Sequence, residues 1–539
     1  MDSGGTPLSG SSRRGILLVL GLLLLLTMAL RVPLLDIPFE RDEGGYSYIA
    51  WRLGYHELPY RDWIDHKPPA IYWVYHLALS LPFESIRSVH VMALLFSASS
   101  ACALFFLASR FVGRSWAAVA AALFALVSTD PLVQGTSANT ELFMLLPLIL
   151  SQLAFLSAAS GGRRRVLLMI VCGVLSGIAV AFKQVAAVNW LFLIACYFAF
   201  ATGGRRLRET LSFAAWSTTG LAASWGLIAM YFAVHHALRD FIYWVFTYNL
   251  EYADATPWRE RLENCAQTLT TLWRTQAGVW ILSVAGFAGV WQAGRRKWLL
   301  FLGGWLMTSL VGVSASGFFF AHYFQQLLPV LCVTATLGAE VVYRSRFWSG
   351  ISAWGRGSLL VLLLVLPPAT VLFPFLFVYS PAEAVRRIYP GNPFAEMPEM
   401  GRRIAEVTQP QDRVFLFAME AEALFYARRV SATRYVNLLP LYSPHHDTRE
   451  KQLETAREIT LARPAAVFCL PNGLFFRPGT EQYFSGWVET YHGRNFRADT
   501  AVAVDPAYHY RLIPIPEDLS IPLSPGERLV GALYVTKTR

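Results

Sequence analysis

The chain is poor in charge. Only 15% of its 539 residues are Asp, Glu, Lys or Arg, against roughly a quarter in soluble globular proteins, which argues against a soluble cytosolic enzyme. Nucleotide signatures are missing: there is no G-x-G-x-x-G and no Walker sequence, so neither a dinucleotide nor an ATP site is indicated. The six cysteines, Cys102, Cys172, Cys196, Cys265, Cys332 and Cys469, show no C-x-x-C and no paired spacing. That pattern indicates neither a zinc module nor a disulfide framework, and only Cys265 with Cys469 could pair if both face an oxidising compartment. No fixed-period repeat is present. Low complexity is confined to the Gly/Ser-rich leader Ser3 to Ser12, expected to be disordered.

Apolar residues are what the chain has in abundance, at 55%, with a mean hydropathy of +0.40. A membrane helix needs about 20 mainly apolar residues, and by that measure there are about eleven candidate spans. They are Gly15 to Leu35, Val89 to Arg110, Ser115 to Val133, Leu142 to Ser160, Val166 to Phe182, Val185 to Thr202, Leu211 to Val234, Thr275 to Trp291, Trp298 to Ser314, Phe324 to Tyr343 and Ser358 to Val378. The first follows Arg13-Arg14, is long for a signal-peptide core and lacks a small-residue cleavage site, so it reads as an uncleaved anchor.

The net charge of +10 is a topology signal and not a nucleic-acid footprint. Lys and Arg cluster in alternate connections: Arg13 and Arg14, Arg110 and Arg114, Arg163 to Arg165, Arg205 to Arg208, Arg295 to Lys297, and Arg344 to Arg356. Acids are nearly absent from the same loops. This places the N-terminus in the cytoplasm, and an odd number of spans places the C-terminus outside a cell inner membrane. Residues 1–14 are then a cytoplasmic leader, 15–378 a membrane domain and 379–539 an extracytoplasmic soluble domain. Alternating helix-like and strand-like stretches in that tail, at Met400 to Val407, Arg413 to Ala418, Ala421 to Arg429 and Ala465 to Leu470, suggest a small α/β domain. The segment Ala70 to Leu81 is apolar but too short to span, and reads as an interfacial or re-entrant helix.

Chemistry concentrates in the first outer loop, 36–87. Asp42 and Glu43 are adjacent acids followed by Gly44-Gly45, and Asp65-His66-Lys67-Pro68-Pro69 holds a lysine between a carboxylate and two prolines. An acid pair at a membrane surface serves either as a solvated turn or as a general base with a metal-binding or orienting partner. Lys67 is either an interfacial anchor or a cation aimed at lipid phosphates. Glu141 opens the fourth span, where complementing the helix dipole is the default role. Lys183 lies between two apolar stretches, either snorkelling or paired with an anion. His322-Tyr323 begins the tenth span, where packing is the commoner role of a lone histidine. His445-His446-Asp447 reads as a loop, because three adjacent residues cannot all face one ion. Asp42, Glu43, Lys67, Glu141, Lys183 and His322 all fall on the outer side of the expected topology, which suits chemistry on a lipid-linked phosphate.

At these residues the sequence resembles the GT-C membrane glycosyltransferases. The likeness is to the protein O-mannosyltransferase-like group (glycosyltransferase family 39), with the bacterial aminoarabinose transferases and the RgtA/B/C/D-like enzymes. It is carried by Asp42-Glu43-Gly44-Gly45-Tyr46, Pro59-Tyr60-Arg61-Asp62, Asp65-His66-Lys67-Pro68-Pro69, Asn139-Thr140-Glu141, Phe182-Lys183-Gln184 and His322-Tyr323 with Gln326 and Pro329, in that order from Gly15 to Val378. The resemblance implies a mainly α polytopic fold and inverting sugar transfer from a polyprenyl phosphate to an extracytoplasmic lipid, glycan or protein. It implies Asp42 as catalytic base, Glu43 as an orienting group, Glu141 as a second acid, and Lys67 at the donor phosphate with Lys183 and His322 in support. Asp65, His66 and Tyr323 are further site candidates. His66 stands where the aminoarabinose branch has a carboxylate. A divalent metal, if one is used, would draw on Asp42, Glu43 and Glu141. The alternatives are a polytopic transporter or flippase of a lipid-linked saccharide, for which inverted repeats of broken helices are expected and not found, and a non-catalytic assembly subunit, against which the acids and Lys67 argue.

Overall fold

The computed structural model describes residues 10–201, 203–254, 256–345, 350–443, 445–471, 482–516 and 521–537. Most of the leader expected to be disordered lies outside these residues, and the first helix begins at Gly10. In chain order the membrane-type part runs α1 (Gly10–Arg31), α2 (Arg41–Leu53), α3 (Ala70–Leu79), α4 (Ser85–Ala108), α5 (Arg114–Val127), α6 (Thr140–Ala159), α7 (Arg165–Phe182), α8 (Ala186–Phe200), α9 (Arg206–Val234), α10 (Leu238–Ile242), α11 (Tyr248–Asp254), α12 (Trp258–Gln292), α13 (Arg296–Ser314), α14 (Leu328–Arg344), α15 (Ala353–Leu364) and α16 (Leu366–Phe377). A single π-helical turn, Tyr243–Thr247, joins α10 to α11.

Every apolar run expected to span overlaps a helix, the last, Ser358 to Val378, being divided between α15 and α16. Seven helices among the described residues are long and apolar enough to cross a membrane, or eight if the pair α15 and α16, bent by 55°, counts as one span. The expectation of about eleven exceeds this for three physical reasons. Helices α5 and α8 have only 14 and 15 residues, and α12 joins its apolar half to a polar first half within one 35-residue helix.

The chain folds as two compact units. One comprises the residues up to Leu35, His90–Leu227 and Trp258–Val378; the other comprises Asp36–Val89, Ile228–Pro257 and Tyr379–Arg539. The loop 36–87 therefore belongs to the same compact unit as the tail, a grouping that a split at residue 378 does not express. Within the first unit, buried Leu, Phe, Ala and Val side chains from α5, α6, α12, α13 and α14 form a continuous core. Helices α12 and α14 meet through a reciprocal pair of glycines: a Cβ on Gly286 would strike the Thr334 carbonyl, and one on Gly338 the Leu282 carbonyl. Small residues let helix backbones approach where no water-driven force brings them together.

In the second unit the tail adds α17 (Pro381–Ile388), α18 (Met397–Val407), β1 (Arg413–Phe417), α19 (Glu422–Ala427), β2 (Val430–Ser431), α20 (Leu439–Tyr442), α21 (Thr448–Ala462), β3 (Ala466–Cys469), α22 (Gln482–Asn495), β4 (Phe496–Val504), β5 (Tyr510–Pro514) and β6 (Arg528–Thr536). The strands form one sheet in the order β2-β1-β3-β6-β4-β5. β1 is parallel to β2 and β3, and β6 is antiparallel to β3 and β4. The expected α/β tail is thus present, with its four legible elements at α18, β1, α19 and β3. All six cysteines are free thiols, so the Cys265 to Cys469 pairing is not made.

Candidate functional site

Helix α2 starts where it does because Glu40 caps it. The Glu40 carboxylate accepts from the backbone N–H of Asp42 at 3.1 Å and of Glu43 at 3.2 Å, while Glu43 Oε2 accepts from Glu40 N–H at 3.1 Å. This reciprocal box satisfies donors that a helix start otherwise leaves orphaned. It turns the Glu43 carboxylate back onto the backbone, and Glu43 is 1% exposed. Asp42, its neighbour in sequence, has a side chain 30% exposed. The two acids that look alike in sequence therefore differ: Glu43 fixes the helix, and Asp42 can meet a substrate.

Asp42 Oδ2 accepts from the Tyr46 hydroxyl at 3.3 Å and lies 3.7 Å from Lys67 Nζ. Lys67 is held by its backbone as well as its charge. Its carbonyl accepts from the Tyr60 hydroxyl at 2.6 Å, and the preceding His66 carbonyl accepts from Asn249 Nδ2 at 2.8 Å. Asp65 Oδ1 accepts from His66 N–H at 2.6 Å. Asp65 is buried, and that burial pushes its carboxyl above the ordinary range against the opposing pull of the Lys67 ammonium. His66 packs with its ring 5.6 Å from Tyr248. Asp65 and His66 therefore shape the loop, and Lys67 presents its ammonium from a fixed backbone.

The remaining sequence candidates lie in the first unit. Glu141, in the first turn of α6 and 1% exposed, accepts from Thr140 Oγ1 at 2.8 Å and forms an ion pair with Lys183. The Lys183 ammonium also lies 3.6 Å from the centre of the Tyr323 ring, a cation–π contact. His322 Nδ1 is 2.7 Å from Gln134 Oε1, and its ring meets Tyr323 edge-on at 4.8 Å. Glu141, Lys183 and Tyr323 thus form one linked group, with His322 oriented beside Tyr323. Among the described residues no three His, Cys, Asp or Glu are grouped to hold a metal ion. Glu43 faces a backbone amide and Glu141 a lysine, so no step below is routed through a metal.

Sequence reasoning missed a set of acids beneath α2. Arg41 Nη2 binds Glu420 Oε1 at 2.7 Å and Asn392 Oδ1 at 3.2 Å. Gly44 is required here, because a Cβ on it would lie 2.5 Å from Glu422 Cβ and 2.8 Å from the Glu422 backbone nitrogen. Glu422 is fully buried, and neither carboxylate oxygen has a hydrogen-bond partner among the described residues. Burial, reinforced by the Glu420 charge, holds its carboxyl well above the usual range; burial does the same to Glu40, helped by Asp42 and Glu43. A carboxyl that keeps its proton in the folded state contributes stability that is full below its ordinary range and lost as pH rises through the raised folded value. Glu422→Gln is therefore expected to raise the melting temperature of the detergent-solubilised chain at about pH 9 and to change it far less at about pH 5, flattening the alkaline loss of stability. An unchanged pH dependence would refute the neutral buried acid.

The profile of the dolichyl-phosphate-mannose-protein mannosyltransferase family matches residues 66–247. No curated protein matches the sequence. Among solved structures, ArnT from Cupriavidus metallidurans bound to undecaprenyl phosphate aligns over 95% of this chain and 100% of its own, at 14% identity and a TM-score of 0.58. The archaeal oligosaccharyltransferase AglB from Archaeoglobus fulgidus, in complex with an inhibitory peptide and a dolichol-phosphate, aligns over 97% of this chain and 76% of its own, at 12% identity and a TM-score of 0.55. The Archaeoglobus fulgidus oligosaccharyltransferase in complex with Zn and sulfate is similar over 95% of this chain and 74% of its own, at 12% identity and 0.52. The chain therefore has the fold of the GT-C membrane glycosyltransferases and, over residues 66–247, the sequence character of the dolichyl-phosphate-mannose-protein mannosyltransferase family.

Proposed function

We propose that this chain is a multi-pass membrane glycosyltransferase that moves a sugar, with inversion, from a polyprenyl phosphate to a hydroxyl-bearing acceptor on the outer side of the cytoplasmic membrane. The observation that carries the reading is the Asp42–Lys67 pair, a partly exposed carboxylate beside a backbone-fixed ammonium. The polyprenyl phosphates bound by ArnT and AglB support the donor class. Asp42 takes the proton of the acceptor hydroxyl, whose oxygen attacks the anomeric carbon from the face opposite the phosphate. The anomeric C–O bond breaks, the phosphate leaves with its electron pair, and Lys67 stabilises the charge that develops there. Glu43 and Glu40 hold α2; Asp65 and His66 hold the lysine's loop. Within the first unit, Glu141 orients Lys183 through their ion pair.

The test is reconstitution of the full chain in liposomes with polyprenyl-phosphate sugars carrying a radiolabel. Transfer of label to an envelope glycan, lipid or protein fraction is expected. Movement of the donor across the bilayer without transfer would favour a flippase instead. Lys67→Ala is expected to weaken donor binding at least about tenfold, the loss of roughly one charge-assisted contact. Donor affinity equal to the parent's would remove Lys67 from the phosphate site.

A further inference from the structure

A polar cavity lies in the compact unit that contains the tail, away from the motifs of the loop 36–87. It encloses about 340 Å³ between the end of α17 and the loop joining β4 to β5, and its lining includes Arg386, Arg387, Asn392, Tyr508 and His509. That volume is at the low end of the roughly 300 to 1,000 Å³ typical of small-ligand clefts.

The loop is a tight turn: Tyr508 N–H donates to the Asp505 carbonyl at 3.0 Å, and Asp505 Oδ1 accepts from His509 N–H at 2.8 Å. Tyr508 occupies the tip at φ 61°, a left-handed position that turn chemistry ordinarily assigns to Gly, Asn or Asp. The tyrosine is 56% exposed. A large ring held in a strained conformation and left in solvent buys no folding stability, and such strain concentrates at binding sites. The opposite wall is equally fixed. The carbonyl of Gly391, at φ 83°, accepts from the Tyr510 hydroxyl at 2.8 Å.

The charges of the cavity are already balanced. Arg386 binds Glu396 Oε1 through Nε at 3.1 Å and Nη2 at 2.6 Å, and Arg387 Nε binds Glu383 Oε1 at 2.7 Å. Among the described residues no hydrogen bond engages Arg386 Nη1 or Arg387 Nη1 and Nη2, and the Arg387 guanidinium lies 4.6 Å from the centre of the Tyr379 ring, so the cavity offers donors with little net positive charge. A planar aromatic face beside neutralised, directional donors suits a polyhydroxylated ring better than a phosphate. Asn392 joins this wall to the proposed catalytic helix, because its Oδ1 accepts from Arg41, the residue before Asp42.

We infer that this cavity is a saccharide subsite for the acceptor, with Tyr508 as the stacking face and Arg386, Arg387 and His509 as donors to sugar hydroxyls. The inference rests on the glycosyltransferase reading and narrows it: the acceptor carries a sugar ring next to the hydroxyl that is modified.

Saturation-transfer NMR on the detergent-solubilised full chain tests it, with maltose, cellobiose, mannobiose and N-acetylchitobiose as probes. At least one disaccharide is expected to receive saturation from the parent and from Tyr508→Phe, and to lose most of it in Tyr508→Ala and in Arg387→Ala. Inorganic phosphate is expected not to compete. Equal signal in Tyr508→Ala, displacement by phosphate, or no signal from any probe would overturn the subsite. Binding of undecaprenyl phosphate by the parent, measured in the same preparation, separates the two readings. Its absence would count against the transferase while leaving a sugar signal standing, and its presence without a sugar signal would remove only the subsite.

Discussion

Asp42→Asn is expected to lower kcat for sugar transfer by about two to four orders of magnitude, the usual contribution of a positioned base. The amide has nearly the same shape and can still accept from the Tyr46 hydroxyl, so helix α2 and its Glu40 cap should survive. What disappears is the proton acceptor. The variant also removes the carboxylate 3.7 Å from Lys67 Nζ, which leaves that ammonium with one fewer competitor for the donor phosphate. The expected signature is therefore a split: kcat collapses while donor affinity is kept or improves. Glu43→Gln gives the contrast, since the amide oxygen can still accept from the Glu40 backbone. With the capping box retained, its thermal stability should stay within roughly 1 kcal/mol of the parent's, with far less effect on turnover than Asp42→Asn. Full activity of Asp42→Asn, or equal losses of turnover in the two variants, would sink the assignment of the base.

That contrast also shows where reading the sequence stops. The apolar runs mark each spanning helix because a bilayer demands continuous apolar length, yet composition does not reveal that α5 ends at Val127 or that α12 carries a polar first half. In the tail, β3 and the part of β1 after its exposed Arg413 are buried apolar runs and are legible as strands. β4 and β5 form a hairpin across 505–509, whereas β6 reaches β3 and β4 over longer stretches of chain, and nothing local announces that pairing. Asp42 and Lys67 stand out as charges among glycines and prolines. Glu43 looks equivalent to Asp42 because a glutamate at the cap position, in place of the commoner Ser, Thr, Asp or Asn, conceals the capping box. Glu420 and Glu422 could not be connected to Arg41 and Gly44 from sequence, since they meet only through tertiary structure. The Glu141–Lys183 link was within reach: two opposite charges flanked by apolar helices are seldom tolerated unless they pair.

That pair supports the second large expectation. Glu141 is 1% exposed and the Lys183 side chain 13%, so water solvates little of either charge. Removing one partner of a buried ion pair leaves an uncompensated charge and typically costs about 3 to 5 kcal/mol, whereas replacing both with apolar groups is often close to neutral. Glu141→Gln alone and Lys183→Met alone are therefore each expected to lower the melting temperature of the solubilised chain sharply. The double variant Glu141→Leu with Lys183→Met should recover most of that loss, because Met can fill the space over the Tyr323 ring without a charge. Activity decides what the pair is for. If Lys183 supports the donor phosphate, the double variant will be stable yet will bind polyprenyl phosphate more weakly than the parent. Recovery of stability and donor affinity together would make the pair purely structural. Failure of the double variant to recover stability would show that the two charges are solvated by something other than each other.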